Sequence, residues 1–129
     1  MPNSNCYKVI IKDGAKPDYY EMKCAFYMID YFNSDIEIIP SNNNPSPDTR
    51  VVRLNQFWEI KNIRGNGKNT ICHTLSKAAS QSVNVIITLL RTKMTPKVAI
   101  GRLKHELEGP TSFKRVLVLI KSGKIIVVK

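Results

Sequence analysis

Asp48, Glu59 and Lys61 have residue types and a spacing suited to chemistry on a phosphodiester. Asp48 follows a proline in Ser46-Pro47-Asp48, ten residues intervene, and Glu59-Ile60-Lys61 then reads Glu-x-Lys. Strand side chains alternate between faces, so Glu59 and Lys61 point one way while Trp58 and Ile60 point the other way, into a core. Two paired strands bring Asp48 beside Glu59. Carboxylates sharing one patch repel each other unless a cation sits between them. A hard divalent ion such as Mg²⁺ takes oxygen ligands of this kind, commonly one or two carboxylates plus substrate phosphate. The ammonium of Lys61 beside them would orient water or stabilise charge at phosphorus. The competing reading is an exposed cross-strand ion pair.

The charge distribution agrees with a polyanionic substrate. The 129 residues carry a net charge of +10, yet residues 1–60 hold six Lys/Arg against eight Asp/Glu, and residues 61–129 hold fourteen against two. From Ile60 through His105 no acidic residue occurs. A basic half of this kind suits nucleic acid, or else serves as a solubilising surface. The aromatic residues fall mostly in the acidic half, not among the basic residues as in a stacking platform for single strands. Hydrophobic content of 43% and charged content of 23% exclude a wholly disordered chain. No apolar run approaches the ~18 residues of a membrane span. The opening MPNSNCYK lacks the apolar stretch of a signal peptide. Cys6, Cys24 and Cys72 are odd in number, widely spaced and without a CxxC pair, which argues against structural zinc and for a reducing compartment. Cys24 and Cys72 read as small buried hydrophobes.

The elements that position these residues can be read along the chain. Tyr7 to Lys12 is a short strand. Asp18 with Glu21 three residues on is a capping box, and Met22, Ala25, Phe26, Ile29 and Phe32 at helical spacing predict a helix over 19–32. Asp35 to Ile39 alternates as a half-buried strand. PSNNNPSP is a loop, and Asp48 to Leu54 and Phe57 to Ile63 are two strands turning at Asn55-Gln56. Arg64-Gly65-Asn66-Gly67 is a second loop. Lys68 to Ser82 is an amphipathic helix with Ile71, Leu75, Ala78 and Ala79 inward, and Val83 to Leu90 is a buried strand. Thr95-Pro96 starts a helix whose core face is Val98, Ile100, Leu103 and Leu107, ending at Gly109-Pro110. Arg115 to Ile120 and Lys124 to Val128 form a C-terminal β-hairpin around Ser122-Gly123. The order β-α-β-β-β-α-β-α-β-β predicts a single α/β (α+β) domain over residues 1–129, a mixed β-sheet with flanking helices.

Pro-Asp, ten residues, Glu-x-Lys resembles the PD-(D/E)XK nuclease superfamily, whose core of helix, three-strand meander, helix and strand matches the order over residues 19–90. The resemblance implies that Glu21, on the first helix, joins Asp48 and Glu59 in holding the metal. A closer resemblance lies in Trp58-Glu59-Ile60-Lys61-Asn62, Gly65-Asn66-Gly67-Lys68-Asn69-Thr70-Ile71, Gln81 and VNVIITL. These look like the C-terminal nuclease domains of CdiA-type contact-dependent growth-inhibition toxins, over about residues 18–128. That resemblance implies a toxin endonuclease with tRNA as substrate, acting in the target-cell cytoplasm. It also implies a cognate immunity protein; the divalent metal, Mg²⁺ or similar, belongs to the carboxylate pair, and the need for a host factor such as elongation factor Tu as a further partner is left open by the sequence.

Further residues are candidates for holding the nucleic acid. Lys68, Asn69 and Thr70 lead into a helix N-terminus, whose free backbone N–H groups suit phosphate, although the spacing is not that of a Walker A loop. A plain turn and cap is the alternative. His73, Gln81 and Arg91 are candidates too, each with an ordinary surface role as its rival. Glu21 has such a rival in the capping box. Two other functions fit the same residues. One is a metal-independent RNase using His73, Lys61 and Lys68 with 2′-OH attack. The other is a non-catalytic basic nucleic-acid-binding module.

Overall fold

The computed structural model describes residues 6–41 and 46–129. Part of the PSNNNPSP loop lies outside the described residues. Seven strands form one mixed sheet in chain order, β1 (Val9–Ile11), β2 (Ile36–Ile38), β3 (Thr49–Val51), β4 (Gln56–Asn62), β5 (Asn84–Thr88), β6 (Arg115–Leu119) and β7 (Ile125–Val127). Helices α1 (Tyr19–Phe32), α2 (Thr70–Ala79) and α3 (Pro96–Glu106) make the connections β1–β2, β4–β5 and β5–β6. Each of those three connections joins parallel neighbours, as a helical crossover allows. The short connections β2–β3, β3–β4 and β6–β7 join antiparallel ones. The predicted α+β domain with a C-terminal hairpin is the fold found.

Two cores explain the pattern of the central strands. On one face α1 buries Cys24, Ala25, Met28, Ile29 and Phe32 against Ile36, Ile38, Val51, Trp58, Ile60, Ile86, Leu117 and Leu119. On the other, α2 and α3 cover Val85, Ile87, Val116 and Val118 with Ile71, Leu75, Ala78, Ala99 and Leu103. β5 is buried on both faces, which is why its apolar run is continuous rather than alternating.

Local chemistry sets the helix ends. The Asp18 Oδ1 accepts from the Glu21 backbone N–H at 2.8 Å, and the Glu21 Oε1 accepts from the Asp18 N–H at 3.3 Å, so the capping box is present. Asn33, at φ 51°, ends α1 in a left-handed turn. The last turn of α1 contains no basic residue, and Arg53 supplies one through space, donating to the Phe32 carbonyl at 2.7 and 3.1 Å. Thr95 Oγ1 caps α3, with Pro96 at its first position.

Several expectations need correction. The strand predicted through Leu54 stops at Val51; Val52–Leu54 is a 3₁₀ turn closed by Asn55 at φ 49°. Phe26, expected in the core, is exposed, and Met28 takes the inward place, because 25, 28, 29 and 32 form the tighter helical stripe. On α3 Leu103 is inward as expected, with Ile100 and Leu107 half-buried against the same core, but Ala99 takes the place expected of Val98, which is exposed; on α2 Ala79 is exposed. Cys24 is buried and Cys72 is half-buried.

Candidate active site

β4 pairs along both of its edges, each over a different half. Its first half pairs antiparallel with β3, from Val51 opposite Gln56 to Thr49 opposite Trp58. Its second half pairs parallel with β5, from Glu59 opposite Val85 to Asn62 opposite Thr88. The β3 ladder therefore ends just before Glu59, where the β5 ladder on the opposite edge begins. One further step of the β3 register places Asp48 opposite Glu59, and the Asp48 Oδ1 accepts the Ile60 backbone N–H at 3.0 Å. That bond crosses to β4 just past the end of the β3 ladder and fixes the aspartate there.

The side-chain alternation is as expected, with Trp58 and Ile60 in the α1-side core. Glu59 itself departs from the exposed-pair reading, since it is only 3% exposed. Lys61 Nζ lies 3.1 Å from Glu59 Oε2. Glu59 Oε1 is buried with no hydrogen-bond partner among the described residues. An unpartnered carboxylate oxygen is costly to bury, so it points to a missing positive or donor group.

A pocket of about 320 Å³ opens here, lined by Lys16, Glu21, Asp48, Glu59 and Gln81 together with residues of the β1–α1 and β2–β3 connections. Burial raises the carboxyls of Glu21, Asp48 and Glu59 above the usual carboxylate range. The Asp48 shift is strong, and the Glu59 charge adds to it; at Glu59 the Lys61 ammonium opposes the shift. A larger groove of about 600 Å³ at Ile10, Glu37, Arg50 and Phe57 is different in kind. Its Glu37 is paired with Arg50 at 2.8 Å, and that hydrogen bond holds the carboxyl below its ordinary value. The smaller pocket is the one with unsatisfied charge.

Asp48 and Glu59, with the free Oε1, fit an ion of the Mg²⁺ kind that completes its shell with water and phosphate. Among the described residues no three His, Cys, Asp or Glu side chains form a complete cage. Glu21 joins the pocket and adds negative charge to it, while its Oε1 serves the capping box.

The other candidates divide. Gln81, after α2, reaches the pocket. Arg91 lies against α1, its guanidinium 4.6 Å from the centre of the Tyr20 ring. Lys68, Asn69 and His73 are exposed at the start of α2, with Thr70 half-buried, and none lines the pocket. Their loop is anchored instead by Thr92 Oγ1 donating to the Gly65 carbonyl at 2.7 Å and Arg102 donating to the Gly67 carbonyl at 3.1 Å. The spacing alone does not single out Lys16 as a pocket residue. Its place in the β1–α1 connection, just ahead of the capping box, is the signal that could have found it.

No curated protein matches the chain. Among solved structures it is similar to the "CdiA-CT/CdiI toxin and immunity complex from Burkholderia pseudomallei", at 18% identity and a TM-score of 0.70, over 95% of this chain and 98% of that one. At that identity the likeness is one of fold. Residues 45–125, well over half of the chain, match the family described as the contact-dependent growth inhibition CdiA C-terminal domain. The chain belongs to the CdiA C-terminal domain family of contact-dependent growth inhibition.

Proposed function

We propose that the chain is a metal-dependent toxin endonuclease, with tRNA as substrate, that acts in the cytoplasm of a target cell. The observation that carries this is the buried Glu59 in the middle of β4, opposite Asp48, ion-paired to Lys61 and left with Oε1 unpartnered among the described residues. Asp48 and Glu59 would hold a Mg²⁺-like ion, with Glu21 adding negative charge. Such an ion supplies charge neutralisation at a phosphoryl oxygen and makes water more acidic. Lys61 stabilises charge that develops at phosphorus. Lys16 and the basic half draw the phosphate backbone toward the pocket. The fold likeness to a toxin solved in complex with its immunity protein supports a cognate immunity protein as partner. Elongation factor Tu is proposed as a host factor on the family resemblance alone.

The test is cleavage of total tRNA and of plasmid DNA by the purified protein, with Mg²⁺ or with EDTA, beside Glu59→Ala. Metal-dependent tRNA cleavage lost in the variant is the expected result. A fully active Glu59→Ala protein sinks the site. Addition of Mg²⁺ at neutral pH is expected to raise the melting temperature of the wild type and not of Asp48→Asn/Glu59→Gln, because an ion that binds only the folded state stabilises it. The metal-independent RNase is disfavoured by His73, which is exposed and does not line the pocket. Cleavage that survives EDTA and leaves 2′,3′-cyclic phosphate ends would restore it.

A further inference from the structure

Tyr19 and Tyr20 open α1 immediately before Glu21, the helix residue that lines the carboxylate pocket. Their rings meet edge to face with centroids 5.1 Å apart. Arg91, from the segment after β5, lies over the Tyr20 ring at 4.6 Å from its centroid. Lys23, one turn on, holds its ammonium 5.8 Å from the Tyr19 centroid. Along the chain the aromatic and basic residues are segregated, which argues against a stacking platform. The fold corrects that expectation by bringing Arg91 from the basic half onto the tyrosines of the acidic half.

Tyr19 is 67% exposed, more than any other large hydrophobic side chain among the described residues. Core packing therefore does not explain it. Aromatic rings and guanidinium planes are the surfaces on which splayed-out bases stack, and neighbouring cations attract the phosphates on either side.

We propose that Tyr19, Tyr20 and Arg91 bind an unpaired nucleobase adjacent to the phosphodiester engaged at the carboxylate pocket. The adjacency rests on the nuclease reading; the nucleobase site itself does not. A base within a duplex is covered on both faces by its neighbours, so the platform selects a loop, a bulge or a strand end. The substrate class is RNA with unpaired bases at the point of contact.

The test uses Glu59→Gln protein carrying Tyr19→Trp, in EDTA, so that binding is read without cleavage. The native Trp58 is 1% exposed and contributes a steady background. The probes are a short single-stranded RNA, the same sequence as a blunt duplex, and an abasic strand with equal phosphates. Saturable quenching by the single strand is expected, with about tenfold weaker binding of the duplex and the abasic strand. Tyr19→Ala or Arg91→Ala, each in the Glu59→Gln protein and read by the fluorescence anisotropy of an end-labelled strand, is expected to weaken single-strand binding about tenfold and leave abasic binding unchanged. Equal binding of all three probes, or no quenching by any, overturns the proposal. Cleavage by the parent protein is scored separately. Base-dependent quenching without any cleavage, with elongation factor Tu and Mg²⁺ present, keeps the nucleobase site and removes the nuclease reading. Cleavage without base-dependent quenching removes the nucleobase site alone.

Discussion

Lys61 Nζ holds Glu59 Oε2 at 3.1 Å, two residues along the same strand, while the other oxygen of that carboxylate has no partner among the described residues. The pair is asymmetric. Glu59 is almost wholly buried, whereas the Lys61 side chain keeps 23% of its surface. Stability therefore depends more on the lysine than on the glutamate, because removing the lysine leaves a buried charge uncompensated.

Lys61→Met is expected to cost about 2 kcal/mol at neutral pH, less than a fully buried pair because the lysine is partly solvated. The double variant Lys61→Met/Glu59→Gln should recover most of that loss. Urea denaturation of wild type, both single variants and the double measures the coupling. A Lys61→Met protein as stable as the wild type would show that the ion pair contributes nothing to the fold.

Acidification offers an independent check. Burial raises the carboxyls of Glu21, Asp48 and Glu59, so in the folded state they take up protons at pH values where the unfolded chain is still ionised. Stability then rises as the pH falls from neutral toward the ordinary values of 3.8 for Asp and 4.5 for Glu, and it declines as the pH climbs through the raised values. Glu37, lowered by Arg50, acts in the opposite sense and in a separate window, its contribution being lost as the pH falls through its depressed value. Melting temperatures of wild type and Asp48→Asn/Glu59→Gln between pH 7.5 and 5 isolate the pocket. The gap between the two should narrow on acidification in metal-free buffer. A constant gap would mean that these carboxyls titrate normally.

Glu21 has two tasks that one substitution can separate. Gln at this position still offers an Oε1 acceptor to the Asp18 N–H but removes the charge that faces Asp48 and Glu59. Glu21→Gln is expected to change stability by no more than about 0.5 kcal/mol, as at other sites where no packing is lost. On the nuclease reading it should slow tRNA cleavage at least tenfold. Asp18→Ala is the converse and should cost about 1 kcal/mol of stability through the lost cap. Wild-type cleavage by Glu21→Gln would confine this residue to the cap.

What can be read along the chain follows from how local the cause is. The start of α1 is legible because the Asp18–Glu21 box is written within four residues. β5 is legible because burial on both faces requires an unbroken apolar run. The end of β3 is not, since Val51-Val52 reads as strand; the turn there is held by the Ser34 hydroxyl accepting the Arg53 N–H at 2.8 Å, a contact from another element. The same holds at the pocket. The Asp48–Glu59 partnership can be inferred from spacing and alternation, and the register places them opposite one another. The burial of Glu59 cannot, because it depends on packing from elements distant in the chain. The glycine-rich loop carries a local phosphate signal, yet nothing local specifies that it does not line the carboxylate pocket.

Two glycines have opposite expectations on physical grounds. Gly123 adopts φ +95° in the β6–β7 turn, and a Cβ there would stand 2.5 Å from Cε1 of Tyr27 on α1. The backbone strain and the clash act together, so Gly123→Ala should destabilise by about 2–3 kcal/mol. Gly101 sits exposed inside α3, and a Cβ there would meet nothing within 4 Å. Gly101→Ala should stabilise by about 0.5–1 kcal/mol, since alanine loses less backbone entropy and nothing must move. Chemical denaturation of both variants reads the two signs directly. A Gly123→Ala protein of wild-type stability would mean that the C-terminal hairpin does not rest on Tyr27, and the packing of that hairpin against α1 would have to be withdrawn.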